Sequence, residues 1–272
     1  MDVSRALLDQ VIDISREAGA AILEVYNRET GYATETKEDS SPVTEADLAA
    51  HNLMNPALEA INTDIPVLSE ESKLPDFSVR SQWERYWIID PLDGTKEFIK
   101  RNGEFTVNIA LIEKGVPILG VVYVPVLDIV YAGARELGAI KIDSNGEAPI
   151  HCRGVKKDQQ RPLIAVASRS HGSEAVEKCM EKLGKVFNAV ERKSMGSSLK
   201  LCLVAEGEAD IYPRLAPTSE WDTAAAQAVV EAAGGIVVDI DLKELRYNTK
   251  SDILNPYFYV LGDHSFGWDN VL

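Results

Sequence analysis

The sequence contains few cysteines and lacks an excess of basic residues. Its three cysteines, Cys152, Cys179 and Cys202, are far apart, and none has the close partner that a C-x-x-C or zinc motif requires. We therefore expect small buried thiols in a reducing compartment. The formal net charge of −15 argues against nucleic-acid binding through a general basic surface. A polyanion would need a local basic pocket or bound cations.

The sequence also lacks a long uninterrupted apolar run. Its most apolar region, "VPILGVVYVPVLDIVYAGA", contains two prolines and Asp128, and its valines and isoleucines favour consecutive strands over a membrane span. The opening "MDVSRALLDQ" has no cationic start followed by an apolar core, so it predicts no signal peptide. We expect a cytoplasmic location, and peripheral association with the inner membrane stays open.

The chain is long enough for one large domain or two small ones. It has 272 residues, of which 45% are hydrophobic and 26% charged, as in a folded globular protein. Apolar residues at helical spacing predict a helix over residues 6–26. The segment "SPVTEADLAAHNLMNPALEAI" predicts a second helix that opens with Pro42 and Thr44, and Thr44 is a suitable N-cap.

The middle of the chain predicts strands. The segments "PVLSEES" and "RYWIID" each indicate a strand that ends on acidic residues. The next segment, residues 105–142, predicts a run of antiparallel strands with breaks at Lys114-Gly115, near Pro125 and at Leu137-Gly138.

The last third of the chain alternates strands with helices. Strands are predicted for "LIAVASR", "IVVDI" and "YFYVLG", and helices for "SEAVEKCMEKLG" and "WDTAAAQAVVEAAGG". This order predicts an α+β half over residues 1–155 and an α/β half over residues 156–272. The boundary falls beside the polar, basic segment "GVKKDQQRP".

Acidic residues recur at strand ends and helix starts: Asp47, Glu70, Glu71, Asp90, Asp93 and Asp222. Each alone has an ordinary explanation, such as an exposed loop, a turn, the N-cap of a helix for Asp222 or a first-turn acid for Asp47. Together they match the oxygen ligands that Mg²⁺ prefers. In "DPLDGT", Pro91 fixes the backbone and Gly94 permits close approach, so both aspartates can converge on a metal used in phosphoryl transfer.

Three segments carry a resemblance to a known family. In order, "PVLSEES", "WIIDPLDGT" and "EWDTAAAQAVVEAAGG" resemble the signatures of the lithium-sensitive, magnesium-dependent phosphatases of the inositol monophosphatase superfamily. The resemblance covers nearly the whole chain. It implies a layered αβαβα sugar-phosphatase-like fold, with an antiparallel sheet in the metal-binding N-terminal half and an α/β C-terminal half that binds nucleotide.

Further segments resemble one branch of this superfamily. The stretch "KEFIKRNGEF" after the aspartates, together with "ASRSH", "SMGSSLKLCLVAEGEADIYPR" and "NPYF", is similar to bacterial 3′(2′),5′-bisphosphate nucleotidases. This branch converts adenosine 3′,5′-bisphosphate to AMP and phosphate in sulfate assimilation, and the 3′-phosphoadenylyl sulfate form is a possible second substrate. The implied partner is therefore a small nucleotide bisphosphate, with no nucleic acid and no obligatory protein partner.

The resemblance also implies a role for each acidic residue. Glu70, Asp90 and the Leu92 carbonyl would hold one Mg²⁺ ion, and Asp90, Asp93 and Asp222 would hold a second. The number of ions, two or three, stays open. Glu71 would hold a water at the metal.

The same resemblance assigns the catalytic groups and the phosphate site. Thr95, assisted by Asp47, would position and deprotonate the attacking water. The backbone N–H groups of Gly94 and Thr95 would bind the 3′-phosphate, beside Glu70, Leu92, Asp93 and Asp222.

The nucleotide contacts implied by the resemblance lie in the second half of the chain. They are Ser168, His171, Gly196 and Lys200, with Arg214 as a weaker candidate. Without the resemblance, His171 is equally a surface histidine and Lys200 part of a solvated helix face. Lys96, Lys100 and Arg101 form either a basic rim or an exposed loop.

Two other functions stay open. The same chemistry could act on an inositol or sugar phosphate instead of a nucleotide. Alternatively, the chain could be a non-catalytic binding protein that keeps the fold, although none of the expected metal ligands is missing.

Overall fold

The structure, a computed structural model, describes residues 2–28, 33–36, 42–167 and 174–272. In these ranges the α-helices are α1 (Arg5–Tyr26), α2 (Glu45–Ile61), α3 (Phe77–Arg80), α4 (Thr95–Ile99), α5 (Glu174–Val186), α6 (Leu199–Ala205) and α7 (Ala224–Ala232). The strands are β1 (Thr34–Thr36), β2 (Pro42–Thr44), β3 (Val67–Ser69), β4 (Arg85–Asp93), β5 (Thr106–Glu113), β6 (Val116–Val124), β7 (Ile129–Ala134), β8 (Gly138–Asp143), β9 (Gly146–Ile150), β10 (Leu163–Ala167), β11 (Val190–Ser194), β12 (Ile211–Arg214), β13 (Ile236–Asp239) and β14 (Phe258–Leu261).

The first two helices pack against each other and form the outer layer of the N-terminal half. The Ser4 hydroxyl caps α1 by accepting a hydrogen bond from the Leu7 N–H. The Thr44 hydroxyl accepts from the Ala46 N–H and caps α2, as the sequence predicts. The apolar face of α1 lies in one hydrophobic core with α2 and one face of the large sheet.

A seven-stranded sheet follows, in the order β3-β4-β5-β6-β7-β8-β9. Strands β3 and β4 are parallel, and all other neighbours are antiparallel. The predicted run of antiparallel strands is therefore confirmed. Its first hairpin turns at Lys114 and Gly115, which both have positive φ, as a tight β-hairpin requires.

Helix α7 packs closely on the other face of this sheet. A Cβ at Gly120 would lie 2.1 Å from the Ala225 carbonyl oxygen, and one at Gly133 would lie 2.9 Å from Val229 Cα. These glycines, and the small residues of the helix, allow the backbone of α7 to lie close to the backbones of β6 and β7. The close packing fixes where α7, and the loop before it, stand against the sheet.

A second sheet completes the layers, in the order β11-β10-β12-β14-β13. Strands β10, β11 and β12 are parallel, and β14 runs antiparallel to β12 and β13. Helices α6 and α7 lie between the two sheets, and α5 covers the outer face of the second sheet. The layered αβαβα prediction is confirmed.

Some local predictions differ from the structure. The short strands β9 and β11 were not expected, because both are mostly exposed, β9 contains a glycine and a proline, and β11 is mostly polar. Pro42 belongs to β2, not to the helix that it was expected to open. Cys179 and Cys202 are buried as expected, whereas Cys152 is only partly buried.

The two predicted halves share a hydrophobic core. The large sheet ends at Ile150 and the small sheet starts at Leu163, but one core includes Val122 from the first half and Val237 from the second. The division into residues 1–155 and 156–272 therefore stays a prediction. Among the residues that the structure describes, no helix combines the length and apolar character needed to cross a membrane.

Candidate active site

The candidate site begins at the end of β4. Trp87, Ile88 and Ile89 are almost fully buried, and burial of each such side chain contributes about 1.5–3 kcal/mol to stability. They fix the strand that carries Asp90 and Asp93. The sequence suggested that the chain turns at this point. It instead stays in the strand to Asp93.

A β-bulge brings the two aspartates together. Asp90 pairs with Asn108 and Asp93 with Thr106, so two residues of β4 oppose only one residue of β5. In a regular strand, side chains three positions apart point to opposite faces of the sheet. The extra residue in the bulge allows the side chains of Asp90 and Asp93 to point to the same face. Pro91 lies in the bulge, where a strand tolerates a missing N–H.

Asp222 approaches the two aspartates from the other end of the chain. One carboxylate oxygen from each of Asp90, Asp93 and Asp222 lies within 4.8 Å of the others. Asp222 belongs to a short 3₁₀ helix, and its Oδ2 accepts a hydrogen bond of 2.8 Å from the Ser219 N–H. It is not the N-cap of α7, a position that Thr223 occupies.

The carboxylates raise one another's pKa. Burial raises the pKa of Asp90 well above its ordinary value, and the charges of Glu70, Asp93 and Asp222 raise it further. Burial also raises the pKa of Asp222 to about 8, with Asp93 and Glu70 adding to the effect. Holding these groups together without a cation is therefore unfavourable, because like charges in a desolvated place repel.

Glu70 and Glu71 lie beside this cluster at the end of β3. The Glu70 side chain hydrogen-bonds to Asp90, and the Glu70 N–H donates to the Ile89 carbonyl at 3.2 Å. The Glu71 N–H donates to the Ser69 hydroxyl at 3.2 Å. Since β3 is parallel to β4, both strands deliver their acids to the same edge of the sheet.

Thr95 and Asp47 also meet at the site. The Thr95 hydroxyl lies 3.2 Å from Asp47 Oδ1 and 3.4 Å from the Leu92 carbonyl oxygen. Asp47 Oδ2 accepts from both the N–H and the hydroxyl of Thr44, at 2.8 and 2.6 Å. Burial raises the pKa of Asp47, although the Thr44 hydrogen bonds act in the opposite direction.

Gly94 forms the turn into α4. Its φ is +97°, and a Cβ here would lie 3.2 Å from the Glu104 carbonyl oxygen. Only glycine adopts this conformation at little cost. The first N–H groups of α4, which follow this turn, have no partner inside the helix.

Sequence reasoning missed the groups that hold Asp93. Its Oδ2 accepts hydrogen bonds from the Ser197 hydroxyl at 2.7 Å and from the Ser198 N–H at 2.6 Å. Thr106 and Asn108 extend this network to β5, since the Thr106 hydroxyl lies 2.6 Å from that of Ser197. The alternation of Thr106 and Asn108 in an otherwise apolar strand was the available signal.

A cavity of about 320 Å³ opens from the carboxylates towards the second sheet. Its lining includes Asp93, Asp222, Lys200 and Arg214. The size is at the lower end of the range for small-molecule sites. The structure therefore brings predicted metal ligands and three of the predicted nucleotide contacts, Gly196, Lys200 and Arg214, to one cavity.

Lys200 is buried, so its interpretation as part of a solvated helix face is wrong. Its ammonium group donates to the Ser197 carbonyl and lies 5.7 Å from the centre of the Tyr212 ring. Burial, together with the neighbouring Arg214 charge, lowers the pKa of Lys200 to about 8, although the charges of Asp93, Glu97 and Asp222 act in the opposite direction. Among the described residues, Lys200 and Arg214 form no ion pair within 4 Å.

Only some of the remaining predicted nucleotide-binding and basic residues line this cavity. Gly196 lines the cavity, and its N–H donates to Glu104 Oε2 at 2.8 Å. Lys96 and Lys100 also line it, whereas Arg101 stacks over the Tyr26 ring. Ser168 and His171 lie outside the described residues.

The residues fit a divalent cation. Carboxylate oxygens are hard ligands of the kind that Mg²⁺ binds, and three of them converge here with a fourth carboxylate, Glu70, hydrogen-bonded to Asp90. A bound cation would relieve the mutual repulsion of these carboxylates, as expected of residues that hold a metal.

The sequence of the chain matches a known protein family. The sequence model of the inositol monophosphatase family matches residues 5–260. The chain belongs to this family. The resemblance seen in its motifs is therefore confirmed, and with it the class of divalent-metal-dependent phosphatases.

Curated relatives cover nearly the whole chain. The 3′(2′),5′-bisphosphate nucleotidase CysQ of Escherichia coli strain K12 is 48% identical over 258 residues, which are 93% of this chain and 99% of the relative. The protein of the same name from Haemophilus influenzae is 36% identical and covers 100% of this chain and 98% of the relative.

Solved structures agree with this family. CysQ from Bacteroides thetaiotaomicron, described as a bacterial member of the inositol monophosphatase family, superposes with a TM-score of 0.83 at 42% identity. The superposition covers 96% of this chain and 98% of that one. An inositol monophosphatase from Thermotoga maritima, 24% identical, has a TM-score of 0.76, covers 98% and 95% of the two chains, and supports the fold alone.

Proposed function

We propose that this chain is a Mg²⁺-dependent 3′(2′),5′-bisphosphate nucleotidase. It removes the 3′-phosphate of adenosine 3′,5′-bisphosphate to give AMP and phosphate, and 3′-phosphoadenylyl sulfate is a possible second substrate. The names of the curated relatives support this choice within the family.

One observation carries the proposal. The cavity that starts at Asp93 and Asp222 also contains Lys200 and Arg214, two cations without a carboxylate partner among the described residues. A substrate with a single phosphate needs charge compensation only at the carboxylate side, where a metal binds. The buried Lys200 and the partly buried Arg214 in the same cavity supply a site for a second anionic group, as a bisphosphate requires.

The side chains of the site have distinct tasks in this proposal. Bound divalent cations would neutralise charge on the phosphate and lower the pKa of a water. Asp90, Asp93, Asp222, Glu70 and the Leu92 carbonyl would hold them, and Glu71 would hold a water nearby.

Thr95 and Asp47 would handle the proton of the attacking water. Because the Thr95 hydroxyl donates to Asp47 Oδ1, its lone pairs are free to accept a hydrogen bond from water. As the water oxygen attacks phosphorus, its proton would pass to the Thr95–Asp47 pair. The bond between phosphorus and the 3′ oxygen would break, and the 3′ oxygen would take a proton from solvent water and leave as a hydroxyl. The proton held by the Thr95–Asp47 pair would return to solvent. The N–H groups of Gly94 and Thr95 would bind the phosphate oxygens.

The test is phosphate release from a small substrate panel. The full chain is given adenosine 3′,5′-bisphosphate, 3′-phosphoadenylyl sulfate, inositol 1-phosphate and fructose 1,6-bisphosphate, each with and without Mg²⁺ and Li⁺. We expect Mg²⁺-dependent release from the bisphosphate nucleotide and strong inhibition by Li⁺. A preference of more than about tenfold for inositol or sugar phosphate would reject the nucleotidase proposal. No release from any substrate would favour the binding-protein alternative.

The proposed role is in sulfate assimilation, and the proposed location is the cytoplasm. Peripheral association with the inner membrane is the alternative location. The only partner that the function needs is its small-molecule substrate.

A further inference from the structure

The segment of residues 247–256 runs directly behind the turn that carries Asp222. Its backbone pairs with that turn on both sides, since the Asn255 N–H donates to the Thr218 carbonyl at 2.8 Å. The Glu220 N–H in turn donates to the Ile253 carbonyl at 2.9 Å. The turn is therefore attached to Ile253 and Asn255, which lie more than thirty positions after their partners in the chain.

One side chain in this segment spans the turn. The Asn255 amide Nδ2 donates to the Ser219 carbonyl at 2.8 Å and to the Thr223 hydroxyl at 2.9 Å. Ser219 and Thr223 lie on either side of the 3₁₀ helix that ends at Asp222. The Ser219 N–H is also the group that donates to Asp222 Oδ2. Asn255 thus holds the residue that holds Asp222.

The direction of these bonds is determined by chemistry. The Ser219 carbonyl can only accept, so the atom of Asn255 facing it must be the NH₂ group. The other amide atom, Asn255 Oδ1, is buried and has no hydrogen-bond partner among the described residues. The side chain therefore serves as a donor here, and an isosteric aspartate would place an oxygen against an oxygen.

The surroundings restrict Asn255 to this position. Only 8% of the residue is exposed, and the following residue, Pro256, disfavours the helical backbone region for it. The Thr223 hydroxyl receives a further hydrogen bond from the Tyr247 hydroxyl at 3.1 Å and donates to the Glu220 carbonyl at 3.2 Å. The hydrogen bonds from Asn255 to the Asp222 turn thus belong to a connected network and are not isolated contacts.

We propose that Asn255 is a positioning residue for the metal site, which it serves by fixing the Asp222 turn. It touches neither the cations nor the nucleotide, and acts through Ser219 and Thr223. This inference rests on the proposed function, because it assumes that Asp222 holds a cation. Its effect should appear in metal affinity, and much less in nucleotide affinity.

The test compares Asn255→Ala and Asn255→Asp with the wild-type chain. Both variants lack the NH₂ group, and the aspartate keeps the shape if the alanine variant fails to fold. Asn270→Ala is the control, because the Asn270 residue is exposed and, among the described residues, its side chain donates only to its neighbour Asp269. Mn²⁺ affinity is measured by calorimetry, and amide hydrogen exchange is measured for residues 219–223.

We expect Mn²⁺ to bind about tenfold more weakly to both variants, a difference of about 1.4 kcal/mol. The amides of residues 219–223 should exchange faster, while Asn270→Ala stays like wild type. High Mg²⁺ should restore most of kcat, with KM for the nucleotide within about twofold of wild type.

Two results would overturn the inference. In the first, the melting temperature falls while Mn²⁺ affinity and exchange at residues 219–223 stay unchanged, which is the behaviour of a merely structural residue. In the second, KM for the nucleotide rises and metal affinity does not. Mn²⁺ binding and exchange need no turnover. A wild-type chain that fails to hydrolyse the nucleotide would therefore reject the proposed substrate and leave this test intact.

Discussion

The Thr95 hydroxyl lies 3.2 Å from Asp47 Oδ1, although 48 positions separate the two residues. Asp47 is held at the start of α2 by the capping box with Thr44, and Thr95 is held at the start of α4 by the Gly94 turn. A local capping motif and a tight turn therefore build a pair suited to accept a proton from water. The cap explanation of Asp47 and its proposed catalytic role use different oxygens of one carboxylate.

Removing the Thr95 hydroxyl should abolish most turnover. Thr95→Val keeps the size of the side chain but cannot bind or deprotonate water, and general-base catalysis contributes about 10²–10⁴-fold. We expect kcat for the bisphosphate nucleotide to fall within that range with little change in KM. Thr95→Ser should keep much of the activity, and Thr63→Val, at an exposed position, should resemble wild type. A Thr95→Val chain with a third of wild-type kcat would exclude the proposed role.

Asp93→Asn should separate catalysis from folding. The asparagine oxygen can still accept from the Ser197 hydroxyl and the Ser198 N–H, so the melting temperature should change little. The charge that a cation needs is lost, and we expect phosphate release to fall at least about 100-fold. Asp158→Asn, at an exposed position, is the control. If the cell retains the role of this chain after Asp93→Asn, the binding-protein alternative gains support.

Much of the fold was predictable because its signals are local. The hairpin at Lys114 and Gly115, the Thr44 cap and the apolar strand before Asp90 each depend on neighbouring residues. The β-bulge was not predictable in the same way, because a bulge appears only in the register between two strands. Sequence spacing alone suggested a turn at Pro91, where the structure has an irregular strand.

The acidic residues of the site were predicted by resemblance. The residues that hydrogen-bond to them or to their turns were not predicted. The bond from Ser197 to Asp93 joins residues 104 positions apart, and the Asn255 contacts cross more than thirty. Such contacts depend on how α6, α7 and the two sheets pack, which no local pattern reports. The burial of Lys200 was missed for the same reason, since α6 lies between the sheets and has no solvated face.

Gly94→Ala should lower both stability and activity. The positive φ costs an alanine about 1–2 kcal/mol, and the added Cβ would also crowd the Glu104 carbonyl oxygen and Phe105 Cα. Gly146→Ala is a matched control, because Gly146 has a φ of +102° with open space around its Cβ position. We expect Gly94→Ala to lower the free energy of unfolding, measured in urea, by more than Gly146→Ala does. Equal losses would show that the crowding at Gly94 is unimportant.

Lys200→Met should discriminate between bisphosphate and monophosphate substrates. Methionine keeps an unbranched chain but removes the charge, and hydrogen bonds to charged groups contribute about 1.5–3 kcal/mol. We expect KM for adenosine 3′,5′-bisphosphate to rise at least about tenfold, while KM for 3′-AMP changes little. Lys178→Met, at an exposed position, is the control.

The same lysine should give the wild-type chain a pH dependence. Because burial lowers the pKa of Lys200 to about 8, the ammonium form predominates below that pH and is lost as the pH rises through it. In the wild-type chain, KM for the bisphosphate should therefore increase between pH 7 and 9. In Lys200→Met, the ratio of KM for the bisphosphate to KM for 3′-AMP should not change over the same pH range. A wild-type profile that rises equally for both substrates would assign the titration to another group and remove Lys200 from the second phosphate site.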